Sequence, residues 1–308
     1  MIIKTKNYAP EHDFERVLDF LSDTYLETKS LANHFPNRFE NDKDNYRDGI
    51  HLWEEFDESS NEKKIVGLST PEKKFLYFIQ IHPEYEYLLT EMVEWIVDHF
   101  GSIKDDLKKE QKLIIVCLDG YKPLEEILRN QGFEKTSNYG YLRFRDINEP
   151  IHQYSIPEGY SIRSFKGKEE YGSYTEAIRK TFGHGEFFNS EVVESINSNT
   201  YYNPELDLII EAPNGEIAAF CTFRMDPKNR ITELEPLGTL PNYKKLGLGK
   251  AILGEGYKRL KKYNPTLLYI GGAADTSGAN RLYDSTGFTK KTRLNVWKKD
   301  FQIHFFIK

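Results

Sequence analysis

The chain has 308 residues, about twice a usual domain, with 42 Lys and Arg against 48 Asp and Glu and a formal net charge of −6, so two cores are the first expectation. Apolar residues at 39% and aromatics at 14% exclude wholesale disorder. The acidic balance excludes the basic excess that a nucleic-acid partner requires, and two cysteines, Cys117 and Cys221, are too few for a disulfide framework or a paired-thiolate metal site.

Residues 1–6, Met-Ile-Ile-Lys-Thr-Lys, are followed by polar residues rather than by the apolar stretch of a signal peptide. The longest greasy runs, such as residues 113–118, have strand length, far short of the ~20 residues a spanning helix needs. A cytoplasmic protein with no membrane partner is expected.

In chain order, residues 13–25 predict a helix, and 33–39 form an aromatic-rich segment that could wall a cleft. An apolar run from Phe78 ends at Pro83 and Tyr85 and leads into a helix over 88–100, with Leu88, Leu89, Met92, Trp95, Ile96 and Phe100 recurring at helical spacing. A strand over 113–118 and a helix ending near Leu128 follow, then Gly132-Phe133. Residues 146–157 are polar, hold Pro150 and Pro157, and read as a linker.

Beyond it come helices over 168–182 and 190–198, the latter with Asn189 or Ser190 available as cap. Strands over 206–211 and 216–224 flank Asn214-Gly215, a hairpin signal. A strand from Ile231, a helix over 248–260, a strand over 267–270 and a helix through Tyr283 precede Gly287-Phe288. Strand, turn, helix, strand, helix and Gly-Phe thus occur twice, with Pro83 matching Pro241 and Tyr85 matching Tyr243, as an internal duplication would leave them. The expected domains are 1–148 and 157–308.

Between the strand from Ile231 and the helix at Leu248, Gly247 and Gly249 leave backbone N–H groups uncovered, with Lys244, Lys245 and Lys250 around them. A helix amino terminus binds a pyrophosphate through such donors and its positive dipole end. A glycine-bearing turn with no ligand would look the same on these residues alone. A P-loop needs Gly where Lys244 stands and Ser or Thr where Ala251 stands, and a dinucleotide fingerprint needs Gly where Ile252 stands, so neither fits.

Lys244-Lys245-Leu246-Gly247-Leu248-Gly249 resembles the cofactor loop of the GNAT superfamily of N-acetyltransferases: Gln or Arg, two residues, Gly, one residue, then Gly or Ala. Residues 233–241 resemble that family's fourth strand, and 279–288 its late helix with the Leu-Tyr-x-x-x-Gly-Phe ending. The Asn common seven residues before that Tyr is here Thr276. The first half resembles the family weakly: its loop positions are Glu86, Leu89 and Glu91, and Leu128 stands where the second half has Tyr283.

The resemblance implies an α/β fold with mixed sheets, made of two tandem GNAT-like acyl-CoA N-acyltransferase domains, each a mixed central sheet flanked by helices, in the manner of the mycothiol synthases. The first would be degenerate and the second catalytic. Acetyl-CoA is the implied cosubstrate, without a metal, held by Leu237, Gly238, Thr239, Lys244, Lys245, Gly247, Leu248, Gly249, Lys250 and Asn280.

Acetyl transfer needs a neutral amine, and an alkylamine of pKa ~10.4 is neutral in roughly one molecule per thousand at pH 7.4, so a base helps. By the resemblance Glu233 takes that role; Glu235, two residues on, shares its face unless a bulge intervenes and is the alternate. Either glutamate could instead be a surface or salt-bridged residue. Tyr283 would protonate the leaving sulfur, and N–H groups near residues 237–240 would receive the oxyanion. The acceptor would be a small-molecule amine or a peptide amine, the chain a monomer or homodimer. A non-catalytic acyl-CoA or metabolite sensor is the alternative from another class.

Overall fold

A computed structural model describes residues 2–25, 27, 35–42, 44, 47–103 and 112–301. The chain forms two compact units, Met1–Tyr141 with Thr292–Lys308, and Leu142–Lys291. In chain order the elements up to the linker are β1 (Ile2–Asn7), α1 (Pro10–Thr24), α2 (Pro36–Asp42), β2 (His51–Asp57), β3 (Glu62–Lys73), β4 (Leu76–Ile81), α3 (Leu89–Ile103), β5 (Lys112–Leu118), α4 (Lys122–Asn130) and β6 (Glu134–Arg145). After it come β7 (Ser161–Ser164), α5 (Tyr171–Phe182), α6 (Ser190–Asn197), β8 (Asp207–Glu211), β9 (Ile217–Met225), β10 (Ile231–Thr239), α7 (Leu248–Lys261), β11 (Leu267–Ile270), α8 (Ser277–Ser285) and β12 (Lys290–Asp300).

The duplication read from the sequence is a duplication of topology. Strands in the first unit run in the order β1-β2-β3-β4-β5-β12, those in the second in the order β7-β8-β9-β10-β11-β6. In both, the first four are antiparallel neighbours, the fourth and fifth are parallel, and the sixth returns antiparallel.

The sixth strand of each unit comes from the other half of the sequence. Residues 143–145 of β6 pair with β11, and residues 294–300 of β12 pair with β5. The division at 148 and 157 expected from the polar linker therefore differs from the spatial one: residues 142–148 belong with the second unit and 292–308 with the first. Linker composition marks where the chain is irregular, whereas a unit ends where long-range strand pairing changes partner.

Each sheet is covered by helices whose apolar spacing matches their periodicity. Leu89, Met92, Val93, Ile96 and Phe100 of α3 are buried against Trp53, Ile79, Ile115 and Trp297. In the second unit Tyr174, Ala177 and Ile178 of α5 and Val193 of α6 pack with Ile209, Ile217 and Phe220. On the opposite face α7 lies close to β9, because a Cβ at Gly256 would stand 2.3 Å from the Phe223 ring.

The aromatic segment expected to wall a cleft is instead core. Phe35 and Phe39 are fully buried, edge-on to Tyr25 and Tyr8 at 5.4 and 5.6 Å, while Asn33 and His34 lie outside the described residues. Among the described residues no helix is long and apolar enough to cross a membrane.

Candidate active site

The site begins where two parallel strands part. β10 pairs with β11 only over Ile231, Thr232 and Glu233, although β10 runs on to Thr239. On its other side β10 follows β9 to Thr239, with a register shift between Leu234 and Leu237 that sets Glu235 and Pro236 against Thr222 alone. Proline has no N–H for a ladder and inside sheets is confined to edges and bulges, so Pro236 gives the bulge a local cause.

Beyond the bulge, Leu240 donates its N–H to Ala218 O at 3.0 Å. Antiparallel bonding alternates, so the N–H groups of Leu237 and Thr239 face away from β9, toward the opening. Of the expected oxyanion donors, Leu240 is thereby engaged and these two remain. Gly238 is required here: a Cβ would meet Phe220 at 2.3 Å and Thr181 at 2.8 Å.

The bulge separates the two glutamates. Glu233 is fully buried and stands across the ladder from Arg224, also buried. Glu235 is half-buried, and its carboxylate acts electrostatically on the Tyr283 phenol. That phenol is held above its usual pKa first by burial and then by Glu235, while the Arg143 guanidinium pulls it down. Tyr283 therefore keeps its proton at neutral pH.

At the far end of β10 the chain turns into α7. Gly247, at φ +79°, is its N-cap residue, no side chain caps the helix, and the Gly247 carbonyl receives the N–H groups of Lys250 and Ala251 at 3.1 Å. The earlier N–H groups of Leu248 and Gly249 have no acceptor within the helix. Lys244 and Lys245 are exposed, Lys245 at φ +67°, and Lys250 is half-buried with its Nζ 6.0 Å from the Tyr154 ring centre. Gly249 also lets α7 approach α8, since a Cβ there would lie 3.2 Å from Leu282. Leu237 and Thr239, whose N–H groups face away from β9, are half-buried.

Asn280 lies on α8 with both ends of its amide engaged inside the protein: its oxygen accepts from Arg143, and its nitrogen donates to Asp275 at 2.9 Å. Thr276, standing where the family commonly has Asn, caps α8 by accepting from the Ala279 N–H at 3.2 Å. The loop after α5 gathers His184 with Phe182, Phe187 and Phe188 at ring distances of 5.7, 5.6 and 5.6 Å. Arg179 fastens it through the carbonyls of Phe188 and Glu186, both at 2.7 Å.

Arg143 was not singled out in the sequence, since it precedes the linker and carries no motif. The available signal was Arg143-Phe144-Arg145 ending a strand, which sets two cations on one face.

The corresponding place in the first unit is filled from within. β4 and β5 also part, pairing only at Leu76 and Tyr77, but Leu89 is fully buried, Glu91 accepts from the Trp53 indole at 2.9 Å and Glu86 from the Tyr121 hydroxyl at 2.9 Å. Leu128, opposite number of Tyr283, is fully buried.

A family model described as "Acetyltransferase (GNAT) family" matches residues 173–288. Among curated proteins, a mycothiol acetyltransferase of Paenarthrobacter aurescens (strain TC1) is 25% identical over 181 residues, covering 56% of this chain and 51% of its own. The chain thus spans about half the length of that relative. Among solved structures, a GCN5-related N-acetyltransferase from Sphaerobacter thermophilus superposes with TM-score 0.66 at 15% identity, covering 97% of this chain and 95% of its own. A tandem GNAT protein from the clavulanic acid biosynthesis pathway does so with TM-score 0.65 at 11% identity, covering 97% and 98%. Residues 173–288 thus match the model of the GNAT acetyltransferase family, and the chain shares the fold of a solved tandem GNAT protein.

Proposed function

We propose that the second unit transfers the acetyl group of acetyl-CoA to a primary amine of a small molecule, with Glu235 as base and Tyr283 as acid. The observation that carries this is the parting of β10 from β11 after Glu233, which leaves Glu235 and Tyr283 beside an opening that runs to the uncapped amino terminus of α7. Curated relatives named mycothiol acetyltransferase favour a small-molecule acceptor.

Acetyl-CoA supplies a thioester whose carbonyl carbon accepts the amine. Leu248 and Gly249 N–H groups with Lys244, Lys245 and Lys250 hold its pyrophosphate, and the N–H groups of Leu237 and Thr239 receive charge on the carbonyl oxygen. Glu235 takes the amine proton as the N–C bond forms, the C–S bond breaks, and Tyr283 gives its proton to the sulfur and is reprotonated from solvent. Half-buried Glu235 suits this exchange better than Glu233, which lies wholly inside and opposite Arg224.

The test is release of free thiol from acetyl-CoA with a panel of alkylamines, aminosugars, polyamines and peptides. Release with an amine supports transfer. Binding of acetyl-CoA with no release from any of them favours a sensor.

A further inference from the structure

Two arginines near the end of β6 reach α8 from one strand face. Arg143 stands opposite Ile270 of β11 and Arg145 opposite Leu268, and both are buried. Arg145 donates from Nε to Thr286 O at 3.1 Å and otherwise grips the carbonyls of Asp146, Glu149 and Pro150. Arg143 holds the helix itself. Its Nη1 donates to Asp284 at 2.6 Å and to Phe288 O at 3.0 Å, its Nη2 donates to Asn280, and its guanidinium carbon lies 5.3 Å from the centre of the Tyr283 ring.

Tyr283 and Asp284 lie three and four residues after Asn280, so each is a neighbour of Asn280 on the surface of α8. The guanidinium thus grips Asn280, three residues before the phenol, and Asp284, the residue after it, and itself lies against the Tyr283 ring.

As a stabilising pair this arrangement is poor. Arg143 is 2% exposed, whereas the Asp284 side chain is 61% exposed, so a desolvated cation faces a carboxylate that water already screens. The Arg143 Nε–H, buried as well, has no hydrogen-bond partner among the described residues. The placement makes sense at the phenol, where Arg143 acts against Glu235.

We propose that Arg143 is a positioning residue for Tyr283: it fixes the face of α8 that carries the phenol, and its charge offsets that of the Glu235 carboxylate there. This rests on the reading of Tyr283 as the acid. Once Glu235 has taken the amine proton its charge is gone, and Arg143 then acts on the phenol unopposed, as the sulfur departs. A strand that precedes the linker in sequence thereby serves the chemistry of a domain that follows it.

The test uses the full chain, with acetyl-CoA and the amine that the thiol-release panel selects. Arg143→Gln, Arg143→Lys and Asp284→Asn are made alone and with Tyr283→Phe, and kcat is measured beside the calorimetric Kd for acetyl-CoA. Arg143→Gln is expected to lower kcat by roughly 10- to 10²-fold, the range in which misplaced catalytic groups fall, with Kd unchanged. Combined with Tyr283→Phe it should lower kcat no further, and Arg143→Lys should recover part of the loss.

Asp284→Asn, a change at an exposed side chain, should lower kcat in the same direction by less, and it carries the test should Arg143→Gln not fold. Losses that multiply those of Tyr283→Phe, or that fall equally on Kd and kcat, would overturn the proposal. A Tyr283→Phe variant with full kcat would instead sink the acid assignment on which it rests.

Discussion

Glu233 and Glu235 differ by two positions and in burial, Glu233 fully buried and Glu235 half-buried, and the proposed role of base falls on the more accessible one. Glu235→Gln should lower kcat at neutral pH by roughly 10²-fold or more, with much of the loss recovered at high pH, where the amine deprotonates unaided. Glu233→Gln should instead show in the melting temperature, with little pH-dependent change in rate. If Glu233→Gln gives the larger, pH-rescued loss, the two roles exchange. Tyr283→Phe should lower kcat less than Glu235→Gln, because a thiol of pKa ~8.5 leaves fairly easily without an acid.

A third carboxylate makes a prediction about stability. Asp207 of β8 is buried, accepts from the Thr222 hydroxyl at 2.7 Å and from Tyr202 at 3.1 Å, and burial raises its pKa to about 6. The folded value lies above the unfolded one of ~3.9, so its favourable contribution is complete below about pH 4 and is lost as pH rises through about 6. Unfolding free energies of the parent and Asp207→Asn should therefore diverge over that window, the parent losing ground as pH rises. An opposite slope would reject the assignment.

At the scale of elements, the turn from β10 into α7 carries the ligand prediction. Gly249→Glu places a side chain and a like charge where the pyrophosphate would lie, and should abolish acetyl-CoA binding in calorimetry while leaving a cooperative melt. Glu91→Gln in the first unit should leave binding unchanged, since its carboxylate serves the Trp53 indole. Normal binding by the Gly249 variant would show that the loop has been misread.

Much of this was legible locally. Gly247 and Gly249 after an apolar run, and Tyr283 five residues before Phe288, mark their elements by chemistry that neighbours in sequence impose. The bulge after Leu234 had a local trace in Pro236, but its effect did not: which glutamate faces the opening depends on how β9 and β11 flank the strand. The earlier start of α1 and the later end of α3 differ from expectation only by the few residues over which helix ends are ambiguous.

At the scale of the molecule, one acetyl-CoA per chain is expected. The first unit keeps the parting of β4 and β5 but fills its loop positions with Glu86, Leu89 and Glu91. Calorimetry returning two sites would refute the degenerate first unit. Expressing residues 150–308 alone should give an unstable product, because β11 loses residues 143–145 as its neighbour and α8 loses Arg143. Full turnover by that fragment would contradict the spatial division.

The sequence by itself determined the duplication, the strand and helix order of each half, and the glycine-bearing turn between β10 and α7. Each of these is written in periodicity or in short-range spacing, where neighbours along the chain dictate conformation. Only the tertiary structure decided that β6 and β12 close the sheets of the opposite halves, that Glu233 is fully buried while Glu235 is half-buried, and that the Arg143 guanidinium lies against the Tyr283 ring. The first and last of these rest on pairings between residues more than a hundred positions apart, and a strand's pattern shows that it needs a neighbour without showing which neighbour it finds.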